Sequence, residues 1–175
     1  ELVLRVIPPV TQPERKSAVL AALKHMNSVG LTGTDDAGAD GQTIAVYRDL
    51  ADHHQLSARL YVMIMGVGED FYALAKHGPL IGYGDDRLTV RAVKLLADGA
   101  LGSRGAAMLA PYSDDPGNRG LLFETDAGMQ SKVSTALRAG YQVNIHAIGD
   151  AANRQVLDAY EAAFSNVGGR ELRNR

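Results

Sequence analysis

The chain has no cysteine, which removes disulfides, thiolate zinc sites and cysteine nucleophiles together. No apolar run approaches the length of about 18 residues that a membrane-spanning helix needs. Glu1–Val10 is too short, and too abruptly closed by Pro8-Pro9, to serve as a signal peptide. Lysine and arginine form no stripe, and a formal net charge of −2 leaves no electrostatic footprint for nucleic acid. Neither GxGxxG nor GxxxxGKS/T is present. Gly66-Val67-Gly68 lacks the third glycine, and Gly99, Gly102 and Gly105 are wrongly spaced for a phosphate cradle. There is no internal repeat and no low-complexity stretch. Nucleic acid and membrane are therefore not expected partners, and a cytoplasmic location is expected.

What is present is an ordinary globular composition, 46% hydrophobic and 22% charged over 175 residues. That length supports one sizeable core, so residues 1–175 are read as a single domain. The chain opens in a strand-like run, Leu2–Ile7, without an initiator methionine, and stops in a polar tail, Arg170–Arg175. It reads as an excised piece.

Between those ends, strand and helix signals alternate. Thr11 and Pro13 open a helix whose apolar positions Val19, Leu20, Leu23 and Met26 recur at helical spacing. Gly30–Thr34 reads as a short strand ending in a polar turn at Asp35, Asp36 and Gly38. A helix is expected over about 43–54, a strand over 59–65, and a weaker helix over 69–76. Gly78–Arg87 reads as a Gly/Pro/Asp-rich link. A strand near 90–97 leads into a long loop, 98–120. Asp126 is expected to cap the next helix, a strand over 142–146 ends at His146, and Asp150 is expected to cap a last helix to about Phe164. Strand–helix alternation points to a parallel sheet with right-handed crossovers. A doubly wound sheet and an arc of a (β/α)8 barrel both fit that order.

The polar clusters follow the strands, where both folds build their sites. Lys94 interrupts the apolar run Ala92–Ala97, and burial disfavours an ammonium. It either snorkels, its stem packed and its head in water, or it does chemistry. His146 ends its strand, where an imidazole suits zinc or catalysis as readily as a bland surface role. Asp98 is a turn former or a supporting carboxylate. Ser103 and Arg104 are candidates for binding a substrate oxygen or carboxylate. Asp35 and Asp36 face the site by position but are turn residues by type. His25, His53, His54 and His77 read as surface residues.

Three segments go further. Val93–Ala106 (VKLLADGALGSRGA), Pro111–Leu122 (PYSDDPGNRGLL) and Val143–Glu161 (VNIHAIGDAANRQVLDAYE) closely resemble the YtcJ-like branch of the amidohydrolase superfamily, also called the amidohydrolase 3 family. Gly30–Gly38 (GLTGTDDAG) resembles an earlier strand and turn of the same branch. The resemblance implies a metal-dependent hydrolase on a (β/α)8 barrel, cleaving C–N bonds of small amide-type, non-peptide substrates with a metal-activated water. It places Lys94 at the family's strand-end lysine, which can be carboxylated and bridge two metals, and His146 at a metal-binding histidine. Catalytic roles are thus expected for Lys94, His146 and Asp98, metal ligation by Lys94 and His146, and substrate contacts from Ser103 and Arg104.

The family's HxH pair and its later histidine and aspartate have no counterpart among these residues. The expectation is an α/β fold forming part of a barrel, with about four parallel strands, adjacent in chain order, and helices on one side only. Zinc is the expected metal, bound weakly or not at all by this chain alone, with Lys94 then not carboxylated. The inward face is expected to carry apolar residues such as Val93, Leu95 and Val143, and the open arc to form a homo-oligomer. The rival reading is a non-catalytic α/β binding or assembly module in which Lys94 and His146 are relics.

Overall fold

The structure, a computed structural model, describes residues 6–174. The strand expected over Leu2–Ile7 falls mostly outside the described residues. The elements run α1 (Gln12–Ser28), β1 (Gly33–Ala39), α2 (Gly41–Asp52), β2 (Arg59–Met65), α3 (Glu69–Ala75), β3 (Leu80–Gly82), α4 (Tyr83–Asp86), β4 (Leu88–Leu96), α5 (Asp126–Arg138), β5 (Gln142–His146), α6 (Asp150–Val167) and a closing 3₁₀ turn, Arg170–Leu172.

β1, β2, β4 and β5 pair in that order, all parallel. This is the expected arc. Short β3 pairs antiparallel with the start of β4, through Leu80 and Val90. The segment expected to be a simple link is therefore part of the sheet. It turns tightly through positive φ at Gly82, Gly84, Asp85 and Asp86, which the glycines tolerate and the aspartates accept at a cost.

Caps fix where the helices start. Thr11 and Glu14 form a reciprocal capping box at α1, with proline in the first turn. The Asp40 carboxylate accepts from Thr43 N–H at α2, and the Thr125 hydroxyl from Gly128 N–H at α5. Two expected caps shift by one residue. Asp126 sits just inside α5 behind Thr125, and Gly149 rather than Asp150 caps α6. Asp150 instead accepts from Leu109 N–H at 2.7 Å, tying the long loop to the helix start. β1 runs through Asp35 and Asp36 instead of turning there. The Tyr47 hydroxyl donates to Asp36 at 2.7 Å.

Strand side chains alternate between faces, and the register shows which face is which. Val62, Ile64, Val93, Leu95 and Val143 join Ile44, Leu50, Phe71, Met129, Val133 and Val156 from the helices in one core. The helices thus cover one face, as expected for an arc. The inward face is where expectation fails. Val93, Leu95 and Val143 point into the helix layer, while Tyr61, Met63, Met65, Ala92, Lys94, Leu96, Gln142, Asn144 and His146 line the other side. Two bulges adjust the path. Gly38 is the extra residue of β1, and Arg91 that of β4. At the lower end of this face Gln142 donates to the carbonyl of Leu172 at 2.8 Å, and Val143 N–H to the Asn174 side chain at 2.7 Å.

Candidate functional site

Lys94 and His146 occupy the same face of neighbouring strands near their carboxyl ends. Lys94 stands opposite Asn144, and Leu96 opposite His146. One strand spacing and two residues of rise put the Lys94 and His146 backbones about 8 Å apart. The lysine stem can span most of that gap. Desolvation holds the Lys94 ammonium below its ordinary pKa, and no other group contributes to the shift. A lysine so placed is more readily neutral, and so more nucleophilic, than one in water.

Around it, Met65 and Leu96 remain partly exposed, 48% and 40%. They form, with Lys94, Phe123 and Met129, the rim of a cavity of about 230 Å³ at the strand ends. A side chain on Gly38 would collide with the Met65 terminal methyl at 2.3 Å and approach the Lys94 stem at 3.9 Å. The bulge glycine therefore makes room for Met65 beside the lysine.

Asp98, just past β4, is 1% exposed. Its carboxylate accepts three backbone N–H groups, from Ala107 at 2.8 Å, Ile148 at 2.9 Å and Gly149 at 2.7 Å. Its Oδ1 also lies 3.9 Å from His146 Nε2. Asp98 thereby fastens the loop after β4 to the loop after β5. The glycine at 149 is required there, because a Cβ would fall 1.8 Å from the Ala107 carbonyl oxygen.

The 98–123 loop is long but ordered by its own bonds. Phe123 N–H returns to Ala97 O at 2.8 Å, Met108 N–H to Arg119 O at 2.8 Å, and the Tyr112 hydroxyl to Ala106 O at 2.7 Å. Ser103 and Arg104 sit exposed on it. The Ser103 hydroxyl donates to Ala100 O at 3.2 Å. The Arg104 guanidinium forks onto Asp114 at 2.9 and 3.3 Å. That partner raises the arginine's pKa and lowers the aspartate's. The structure thus brings His146 and Asp98 together, places Lys94 on the same face of the neighbouring strand, and leaves Ser103 and Arg104 with local partners. His25, His53, His54 and His77 are exposed, as expected. Asp35 lines a polar hollow with Tyr61, Arg91 and Gln142 at the opposite end of the face.

Sequence reasoning missed Asn144, which is 6% exposed and directly beside Lys94. The signal was there in Gln142-Val143-Asn144-Ile145-His146, an alternation that puts every polar residue on the face of the histidine.

Lys94 and His146 supply donor chemistry suited to a share of a divalent-cation site, an imidazole and a lysine that burial disposes toward neutrality. They do not complete one. Among the described residues no three His, Cys, Asp or Glu side chains gather as a metal-binding group, and the oxygens of Asp98 are engaged by amides.

The fold of this arc is shared with solved structures described as metal-dependent hydrolases. A structure from Pyrococcus horikoshii OT3, described as an uncharacterized metal-dependent hydrolase, superimposes with a TM-score of 0.73 at 26% identity, covering 87% of this chain and 31% of that one. A counterpart from Pyrococcus furiosus gives 0.74 at 27% identity, covering 88% and 32%. The chain belongs to the Amidohydrolase family, whose model matches residues 1–174. It is 32% identical over 168 residues to YtcJ of Bacillus subtilis (strain 168), assigned by name as an amidohydrolase, covering 92% of this chain and 30% of YtcJ. It is 29% identical to Protein LONG AFTER FAR-RED 3 of Arabidopsis thaliana, covering all of this chain and 32% of that protein. The chain thus spans about a third of the length of the curated relatives it matches.

Proposed function

We propose that this chain is the central portion of the barrel of a metal-dependent amidohydrolase acting on C–N bonds of small amide-type, non-peptide substrates. The observation that carries the reading is the placement of Lys94 and His146 on one face of neighbouring strands, at their carboxyl ends. His146 would hold a divalent cation, with zinc the proposed metal, and Lys94 would hold it as a carbamate. A bound cation lowers the pKa of water toward 7 and polarises the substrate carbonyl.

The chain's own residues orient and enclose. Asp98 is the positioning residue, holding the His146 loop against the 98–123 loop through three amides. Ser103 and Arg104 would contact a substrate oxygen, the guanidinium exchanging Asp114 for it. Catalytic zinc sites take three protein ligands, so this chain alone would bind metal weakly and leave Lys94 uncarboxylated. No described helix is long and apolar enough to cross a membrane, and a cytoplasmic location is proposed.

The test uses the complete protein that carries this segment. Lys94→Ala and His146→Ala should each lower bound metal, read by elemental analysis, and cut amine release from an amide panel by at least about a hundredfold. Wild-type metal content and activity in both variants would overturn the reading. Absence of both bound metal and amide hydrolysis from the unmutated complete protein would favour the non-catalytic module instead.

A further inference from the structure

Asn144 is buried on the site face, and its two amide atoms are treated unequally. Nδ2 donates to Met63 Sδ at 3.2 Å. A thioether only accepts, so this contact fixes which end of the amide faces the methionine. Oδ1 is then left buried with no hydrogen-bond partner among the described residues. A buried acceptor without a donor carries a real cost, so such an atom in a native fold calls for an explanation. Solvent does not reach Oδ1, which argues against a direct contact with substrate.

Directly across the register lies Lys94. Its Nζ carries the donors the acceptor lacks, and no hydrogen bond or ion pair engages it among the described residues. Met65 stands on its other flank, in the same row, and offers no acceptor stronger than a thioether. Asn144 therefore presents the strong acceptor in the row that Lys94 occupies.

We infer that Asn144 is a positioning residue for Lys94, its Oδ1 accepting an N–H from the lysine's terminal nitrogen when the site is assembled. The contact survives carboxylation. The neutral amine adds to carbon dioxide, an N–C bond forms, one proton leaves to solvent, and the carbamate nitrogen keeps one N–H. Held by that N–H, the carbamate has one rotation fixed, and its oxygens point away from Asn144 toward the open strand ends and His146. The inference rests on the proposed cation-binding role of Lys94.

The experiment is zinc titration of the metal-stripped complete protein, followed calorimetrically, with thermal unfolding measured beside it. Asn144→Leu keeps the size and removes the acceptor. It should weaken zinc binding about tenfold to a hundredfold, as loss of a supporting partner does, and reduce the carbamate signal in 13C NMR with labelled bicarbonate. Asn144→Gln, which keeps a neutral amide acceptor toward Lys94, should restore part of both. If Asn144→Leu does not fold, Asn144→Ser, whose hydroxyl is too short to reach Nζ, should show the same loss.

Wild-type zinc affinity in folded Asn144→Leu or Asn144→Ser would overturn the inference, as would a folded Asn144→Gln no better than Asn144→Leu. Lys94→Met and His146→Ala separate the two levels. If they lose zinc while Asn144→Leu does not, only the role of Asn144 is wrong. If they retain zinc, the cation-binding reading falls and this inference falls with it.

Discussion

The carbonyl oxygen of Ala107 occupies the space that a side chain at Gly149 would need, 1.8 Å from an ideal Cβ. Two loops that follow different strands are thus interlocked backbone to backbone, immediately behind His146. Backbone cannot swing aside as a flexible side chain can. Gly149→Ala should therefore destabilise the fold by at least about 1–3 kcal/mol, read by urea denaturation. Gly102→Ala, on the same long loop but with open space around it, should be close to neutral.

Asp98 predicts a larger loss. Its side chain is the acceptor for three N–H groups, of which those of Ala107 and Gly149 are bonded in buried surroundings. Asp98→Ala leaves them without a partner, at about 1–3 kcal/mol for each buried group. We expect a loss of at least about 2 kcal/mol in denaturant unfolding, with protease cleavage appearing in 99–122. Asp98→Asn should recover only part of it, because its NH₂ group meets donors.

Acid should loosen the contact between α1 and α2 at Arg15 and Asp40. The Asp40 carboxyl lies below the ordinary aspartate value of 3.8, chiefly because Thr43 bonds its charged form, with Arg15 also favouring it. A depressed folded-state pKa means this stabilisation is present above 3.8 and lost as pH falls through the lower folded value. Asp40→Asn should remove that stabilisation at pH 7 and flatten the profile below 3.8, so that variant and wild type converge as pH falls. Hydrogen exchange at the start of α2 would show the difference.

The four parallel strands could be read from the sequence because each is a β-rich run closed by glycine or polar residues, and the helices because Thr11 and the apolar spacing mark them. The β3–α4 segment could not. Its course depends on left-handed turns at Gly82 and Gly84 and on two aspartates forced into the same region, choices that only the finished sheet makes favourable. The facing of Val93, Leu95 and Val143 was misjudged for another reason. An apolar strand residue can serve a barrel lumen or a helix layer equally well, and here the helices take it. The polar partners at alternate positions, Lys94, Asn144 and His146, held the answer. Lys94 and His146 stood out by their places in apolar strands and took their metal-ligand roles from the family resemblance, while the grip of Asp98 on two distant amides at 148 and 149 is long-range and left no local trace.

Association follows from the edges. β1 pairs only with β2, and β5 only with β4, among the described residues. Unpaired strand edges invite other strands, so a homo-oligomer is proposed for the chain by itself. Sedimentation showing a stable monomer at micromolar concentration would contradict it.

The grip of Asp98 also divides the labour of the 98–123 loop. One end is secured by the Asp98 bond to Ala107, the other by the return of Phe123 to Ala97. The stretch between them, with Tyr112, Asp114 and Arg119, hangs from fixed points. Both of its ends are pinned to the sheet, so a displacement within it need not reach His146. The strand ends that carry Lys94 and His146 are thereby mechanically insulated from whatever that stretch touches.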